Sequence, residues 1–230
     1  MPIGDPKILL FAFLAGVIPA IFWLFFWLRE DKKKQEPKGL LTMIFIMGMI
    51  SVIFVIPLER LVETHIAHHN LELVLWASIE EIVKYFAVML IIYRSQYIDE
   101  PIDWPIYLIT VALGFAALEN MLFLIEPFNL GNSIVGLLTG QLRFLGSTLL
   151  HAVATGTIGM AIGLSFYMSQ AKKTLYAFLG IIIAIVLHSV FNFFIMKNEG
   201  GDFMKVFAFL WVVTIIIMLL FEKLRKMCRN

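Results

Sequence analysis

The feature that most constrains this chain is the recurrence of apolar runs about as long as a bilayer is thick. A helix needs roughly 20 apolar residues to cross the hydrocarbon core. Runs of that length fall at about residues 8–28, 39–58, 71–93, 106–126, 147–169, 175–196 and 203–221. The 230 residues are 60% hydrophobic and only 15% charged, against about 45–50% apolar and about 25% charged in a soluble domain. The expected fold is therefore all-α: a polytopic transmembrane helical bundle of about seven spans, forming one integral membrane domain over residues 1–230. The stretch 133–147 is apolar but broken by Gly136, Gly140, Arg143 and Gly146. It reads as a short re-entrant or interfacial helix, or as an extension of the fifth span.

Charge sets the orientation. Lys and Arg gather on the cytoplasmic side of membrane proteins, and Arg29, Lys32, Lys33, Lys34 and Lys38 crowd the first loop. That loop is expected inside and the N-terminus outside. With seven spans, Lys172, Lys173 and the basic tail (Lys223, Arg225, Lys226, Arg229) also fall inside. The acidic, histidine-rich loop from about Glu59 to Glu72 falls outside, and His65, His68 and His69 are read there as solvated. Counting 133–147 as a further full span would throw the basic tail outside. The first apolar run is too long for a cleaved signal peptide and carries its charge on the wrong side. A net charge of +1 gives no reason to expect nucleic acid as a partner; the lipid bilayer is the expected surrounding. Cys228 is the single cysteine, which excludes an intramolecular disulfide and a cysteine metal site.

Against this background the polar residues inside the spans stand out. Span three carries Glu80, Glu81 and Lys84 in WASIEEIVKYFAVM, and span four carries Glu119 and Asn120 in GFAALENMLF. Span five opens on His151, and span six holds His188 and Asn192. Each charge at a helix centre costs about 2.5–3.5 kcal/mol on insertion scales. Four unpaired charges would cost roughly 10 kcal/mol, as much as a domain's whole stability. Spacing supplies a remedy: at 100° per residue Lys84 lies within about 60° of both Glu80 and Glu81, so one ammonium can serve two carboxylates. The same rule puts Phe115 with Glu119, His151 with Thr155 and His188 with Asn192 on common faces. At about 1.5 Å per residue, Glu80, Glu119 and His188 lie roughly 10–15 Å below the outer boundary, with His151 near the outer end of its span. Four spans thus contribute to one outer-leaflet layer. Gly156, Gly159 and Gly163 line one face of span five as a packing seam.

Taken together, Glu80-Glu81-x-x-Lys84, Phe115-x-x-x-Glu119-Asn120 and His188-x-x-x-Asn192 resemble the motif series of the PrsW family. These membrane-embedded proteases are related to the CAAX prenyl proteases and the bacteriocin-processing enzymes. The resemblance runs from about Glu80 to Asn192. CAAX-type relatives usually carry His where this chain has Glu119 and Arg where it has Lys84, as the PrsW branch does not; His151 is the candidate to supply that imidazole. The resemblance implies hydrolysis of a peptide bond in the extracytoplasmic part of a membrane-anchored protein, such as an anti-sigma factor. The expected catalytic set is Glu80, Glu81, Lys84, Glu119, His151, His188 and Asn192, with Glu80 or Glu81 as general base. His188 and Asn192 are expected to serve the oxyanion. Zinc is an open alternative to a metal-free, glutamate-activated water, because two histidines and a carboxylate can form an open catalytic site. Its candidate ligands are His151, His188, Glu119 and Glu81. Two other classes use intramembrane carboxylates and histidines: a proton-coupled transporter, and a non-catalytic receptor or scaffold. The lack of visible repeat symmetry argues against the transporter.

Overall fold

The computed structural model describes residues 5–29, 36–92, 97–129, 143–197 and 203–228. Within them the chain forms seven long helices and no strand. They are α1 Pro6–Leu28, α2 Lys38–His65, α3 His69–Ile92, α4 Asp103–Asn129, α5 Thr148–Leu164, α6 Gln170–Lys197 and α7 Phe203–Met227. All but α3 are long and apolar enough to cross a membrane by length and composition. At 24 residues α3 matches them in length, and the charges of Glu80, Glu81 and Lys84 are what set it apart. This is a multi-pass helical membrane protein. Most of the stretch 133–147 lies outside the described residues. Its end, Arg143–Ser147, is a π-helical turn that runs directly into α5.

The second helix is longer than its apolar run implied. It continues past Pro57 to His65, because Leu58, Leu61 and Val62 carry the helical apolar period beyond the charged Glu59–Arg60 pair. Glu59 is therefore a helical residue and not a loop residue. His65, His68 and His69 cap the turn between α2 and α3 and are exposed, with His69 paired to Glu72 at 3.2 Å.

The bundle is organised around α4, which packs against α1, α2 and α5. Glycines permit these approaches. A Cβ on Gly114 would fall 2.0 Å from the carbonyl oxygen of Phe45 on α2, and one on Gly48 would fall 2.1 Å from that of Val111 on α4. The seam expected on α5 meets the start of α4: a Cβ on Gly159 would lie 2.4 Å from the Cα of Pro105. Backbones this close leave room for short side chains only, which is how helices without a hydrophobic driving force between them gain van der Waals contact. The outward faces of α1, α6 and α7 carry large apolar side chains such as Phe22, Phe178 and Ile215, as a lipid-facing surface does.

Candidate active site

The polar residues meet in the outer half of the bundle, where α3, α4, α5 and α6 converge. Glu80 is 11 residues from the start of α3, Glu119 is 10 from the end of α4 and His188 is 9 from the end of α6, each about 14–16 Å of helix rise.

Lys84 is the centre of the cluster. It is fully buried, and its Nζ donates to Glu80 Oε2 at 3.1 Å and to Glu81 Oε1 at 2.9 Å, the two contacts its spacing implied. A third hydrogen bond, 2.8 Å long, joins it to Nδ1 of His151. The Phe115 ring centroid lies 4.2 Å from the ammonium, so the aromatic residue of the second motif adds its negative face to the cation's surroundings. With three hydrogen bonds the ammonium's donor capacity is filled.

The two glutamates differ sharply. Glu81 is 0% exposed, and its oxygens are taken by Lys84, by the Thr155 hydroxyl at 2.7 Å and by Nδ1 of His188 at 2.9 Å. Its carboxylate is saturated and serves to orient. Glu80, 4% exposed, instead faces both imidazoles. Its Oε2 is 3.7 Å from His151 Nδ1 and its Oε1 is 3.8 Å from His188 Nε2.

Each histidine is held by a carboxylate at its far nitrogen. His188 gives Nδ1–H to Glu81, and His151 gives Nε2–H to Glu119 at 3.1 Å. That tautomer assignment leaves the lone pairs of His188 Nε2 and His151 Nδ1 directed toward Glu80, the carboxylate–histidine arrangement that supports a metal ligand. One ligand atom each from Glu80, His151 and His188 lies within 4.8 Å of the others. Tetrahedral zinc bonds of 2.0–2.1 Å put ligand atoms about 3.3 Å apart, so modest closure meets this need, with the His151 lone pair passing from Lys84 to the ion. The donor set fits a catalytic metal with an open position. The carboxylate that shares this space is Glu80, whereas the sequence pointed to Glu81 or Glu119; those two stand behind the histidines.

The remaining motif residues take supporting places. Asn120 donates from Nδ2 to Thr148 Oγ1 at 2.8 Å, tying α4 to the first turn of α5. Asn192 is half-buried one turn beyond His188 on α6. Glu119 is 20% exposed at its side chain, more open than Glu80 or Glu81, and marks the mouth. One acidic residue was not anticipated. Glu59, half-buried on α2, has its carboxyl in hydrogen-bond contact with that of Glu80. The sequence signal for it was weak: the apolar period on either side of Pro57, read across one charged pair.

A multi-pass helical protein with two histidines and a knot of glutamates buried in the membrane has the makings of an intramembrane hydrolase. The model of the PrsW family, described as PrsW family intramembrane metalloprotease, matches residues 36–221. The chain belongs to this family, and its activity is intramembrane proteolysis. Protease PrsW of Geobacillus kaustophilus is 29% identical over 205 residues, covering 86% of each chain. That of Clostridioides difficile is 29% identical over 80% of this chain and 79% of its own. That of Bacillus subtilis is 26% identical over 86% and 89%. No solved structure matches the chain.

Proposed function

We propose that the enzyme cleaves a membrane-anchored protein, such as an anti-sigma factor, from the extracytoplasmic side, with Glu80, His151 and His188 holding a divalent metal such as zinc. The observation that carries this reading is the pair of imidazole lone pairs turned toward one carboxylate, each imidazole backed by a second carboxylate. When bound, such a metal supplies Lewis acidity to a water and to the scissile carbonyl.

The chain's own residues do the rest. Glu119, at the mouth and beside His151, takes the proton of the attacking water and returns it to the leaving amide nitrogen as the C–N bond breaks. Glu81 and Thr155 hold His188 in its tautomer, and Lys84 holds Glu80 and Glu81 together without competing for the substrate. Asn192 lies on the His188 face of α6 and donates to the carbonyl oxygen as it gains charge. Burial of the cluster keeps bulk water from the reacting groups, which strengthens every one of these interactions. The N-terminus is outside and the C-terminus cytoplasmic. The basic loops support this orientation, which leaves the mouth facing the extracytoplasmic half of a single-span substrate.

The test uses purified enzyme in detergent with single-span substrates. A chelator should abolish cleavage, and added zinc should restore it. Glu80→Gln, His151→Ala and His188→Ala should lose both cleavage and stoichiometric zinc. Glu119→Gln should lose cleavage by about 100-fold or more, the upper part of what a general base supplies, while zinc stays bound. Chelator-resistant cleavage by a protein free of metal would overturn the metal assignment.

A further inference from the structure

Glu59 belongs to none of the motifs, yet it touches the site. It reaches Glu80 from α2, across the interface with α3, and its charge is felt by Glu119 and Lys84. The contact is braced. The indole N–H of Trp76, one turn before Glu80 on α3, donates to the backbone carbonyl of Glu59 at 3.3 Å. The two helices are thus pinned at consecutive turns around one carboxyl pair, at the end of α2 that follows Pro57.

Carboxyl groups hydrogen-bond to one another only when one supplies an O–H. Glu80 already receives the Lys84 ammonium on Oε2, which favours Glu80 as the acceptor and Glu59 as the donor. The consequence is steric as well as electronic. Lys84 holds Glu80 from its own helix, one turn along; without a second contact the carboxylate could still swing about its terminal torsion, which is broad and roughly two-fold. Glu59 supplies that second contact from a different helix.

We propose that Glu59 is a positioning residue of the metal site, holding the Glu80 carboxylate in the orientation that faces His151 and His188. The inference rests on the metal-site reading above. It assigns to α2, which carries none of the motif residues, a direct part in building the centre. Outer contacts of this kind are typically worth 10–100-fold in metal affinity.

The experiment measures zinc affinity by competition with a chromophoric chelator, in wild type, Glu59→Ala, Glu59→Gln and the exposed neighbour Glu63→Ala. Thermal unfolding without metal is recorded alongside. Glu59→Ala should bind zinc about 10–100-fold more weakly, with cleavage falling in step and the unfolding midpoint little changed. Glu59→Gln keeps a donor to Glu80 and should stay within about threefold of wild type, as should Glu63→Ala. Unaltered affinity in a folded Glu59→Ala overturns the proposal and leaves the metal site standing. A loss in Glu59→Gln equal to that in Glu59→Ala also overturns it, since Glu59 would then act as an ionised ligand. Wild type that binds no zinc removes the metal site itself, and this role with it.

Discussion

At the scale of single residues, the cluster works because every buried charge has an assigned partner. Lys84 is the clearest case: 0% exposed, it is bonded to two carboxylates and an imidazole and lies over an aromatic face. Removing one partner of a buried ion pair costs about 3–5 kcal/mol, because the remaining charge is stranded. Lys84→Met should therefore lower stability by about that amount, seen as a reduced unfolding midpoint in detergent. Glu81→Gln should destabilise less, since a neutral amide can still meet Thr155 and His188. Equal stability of Lys84→Met and wild type would mean that the triad is not paired as described. The carboxylates, lysine and histidines were legible in the sequence because ionisable groups in apolar spans are anomalies that need a cause. Their division of labour was not. Glu80 and Glu81 are adjacent and chemically identical, and only the surroundings leave one saturated and the other facing the histidines.

At the scale of elements, α4 decides how closely the site can assemble. Gly114 and Gly48 let α2 and α4 cross backbone to backbone, and Gly159 does the same between α4 and α5. Glu119, His151 and Glu59 reach one another only if these helices stay in contact. A Gly114→Val side chain would meet the Phe45 carbonyl and push α2 away, and overpacking of this sort costs typically 1–3 kcal/mol or more. We expect Gly114→Val to lower the unfolding midpoint and to weaken cleavage. Gly39→Ala, whose Cβ would meet nothing within 4 Å, should leave both unchanged. Thermal unfolding and cleavage of the two variants check this directly. The spans themselves were readable to within a few residues, since length and apolarity are what a bilayer demands of a helix. The end of α2 was misplaced because a proline and two charges interrupt the run, and the helix continues there on packing against α3.

For the whole molecule, the exposed apolar faces of α1, α6 and α7 and the buried polar centre make the protein inside-out relative to a soluble enzyme. Orientation remains a matter of which loops are basic, and it can be measured. With Cys228 replaced, single cysteines at His68 and Lys173, both at exposed positions, should differ in intact cells: His68→Cys should react with a membrane-impermeant maleimide and Lys173→Cys should not. The reverse pattern would turn the site toward the cytoplasm. Native Cys228 itself is buried, and burial pushes its thiol up to about 11. Little of it is thiolate near neutral pH, which makes it a poor nucleophile and a quiet background for such labelling.

By itself, the sequence determined that this chain spans a membrane many times, that its basic loops share one side, and that glutamates, a lysine and histidines from four spans lie at one depth. Those properties follow from local rules: transfer free energy per residue, helical rise and the i, i+4 face. Tertiary structure decided which carboxylate faces the imidazoles, which ones stand behind them, and that α2 contributes Glu59. These depend on helix rotation and on backbone approach at particular glycines, to a precision of about one hydrogen-bond length, and such relations hold between segments far apart in the chain, where local periodicity carries no information.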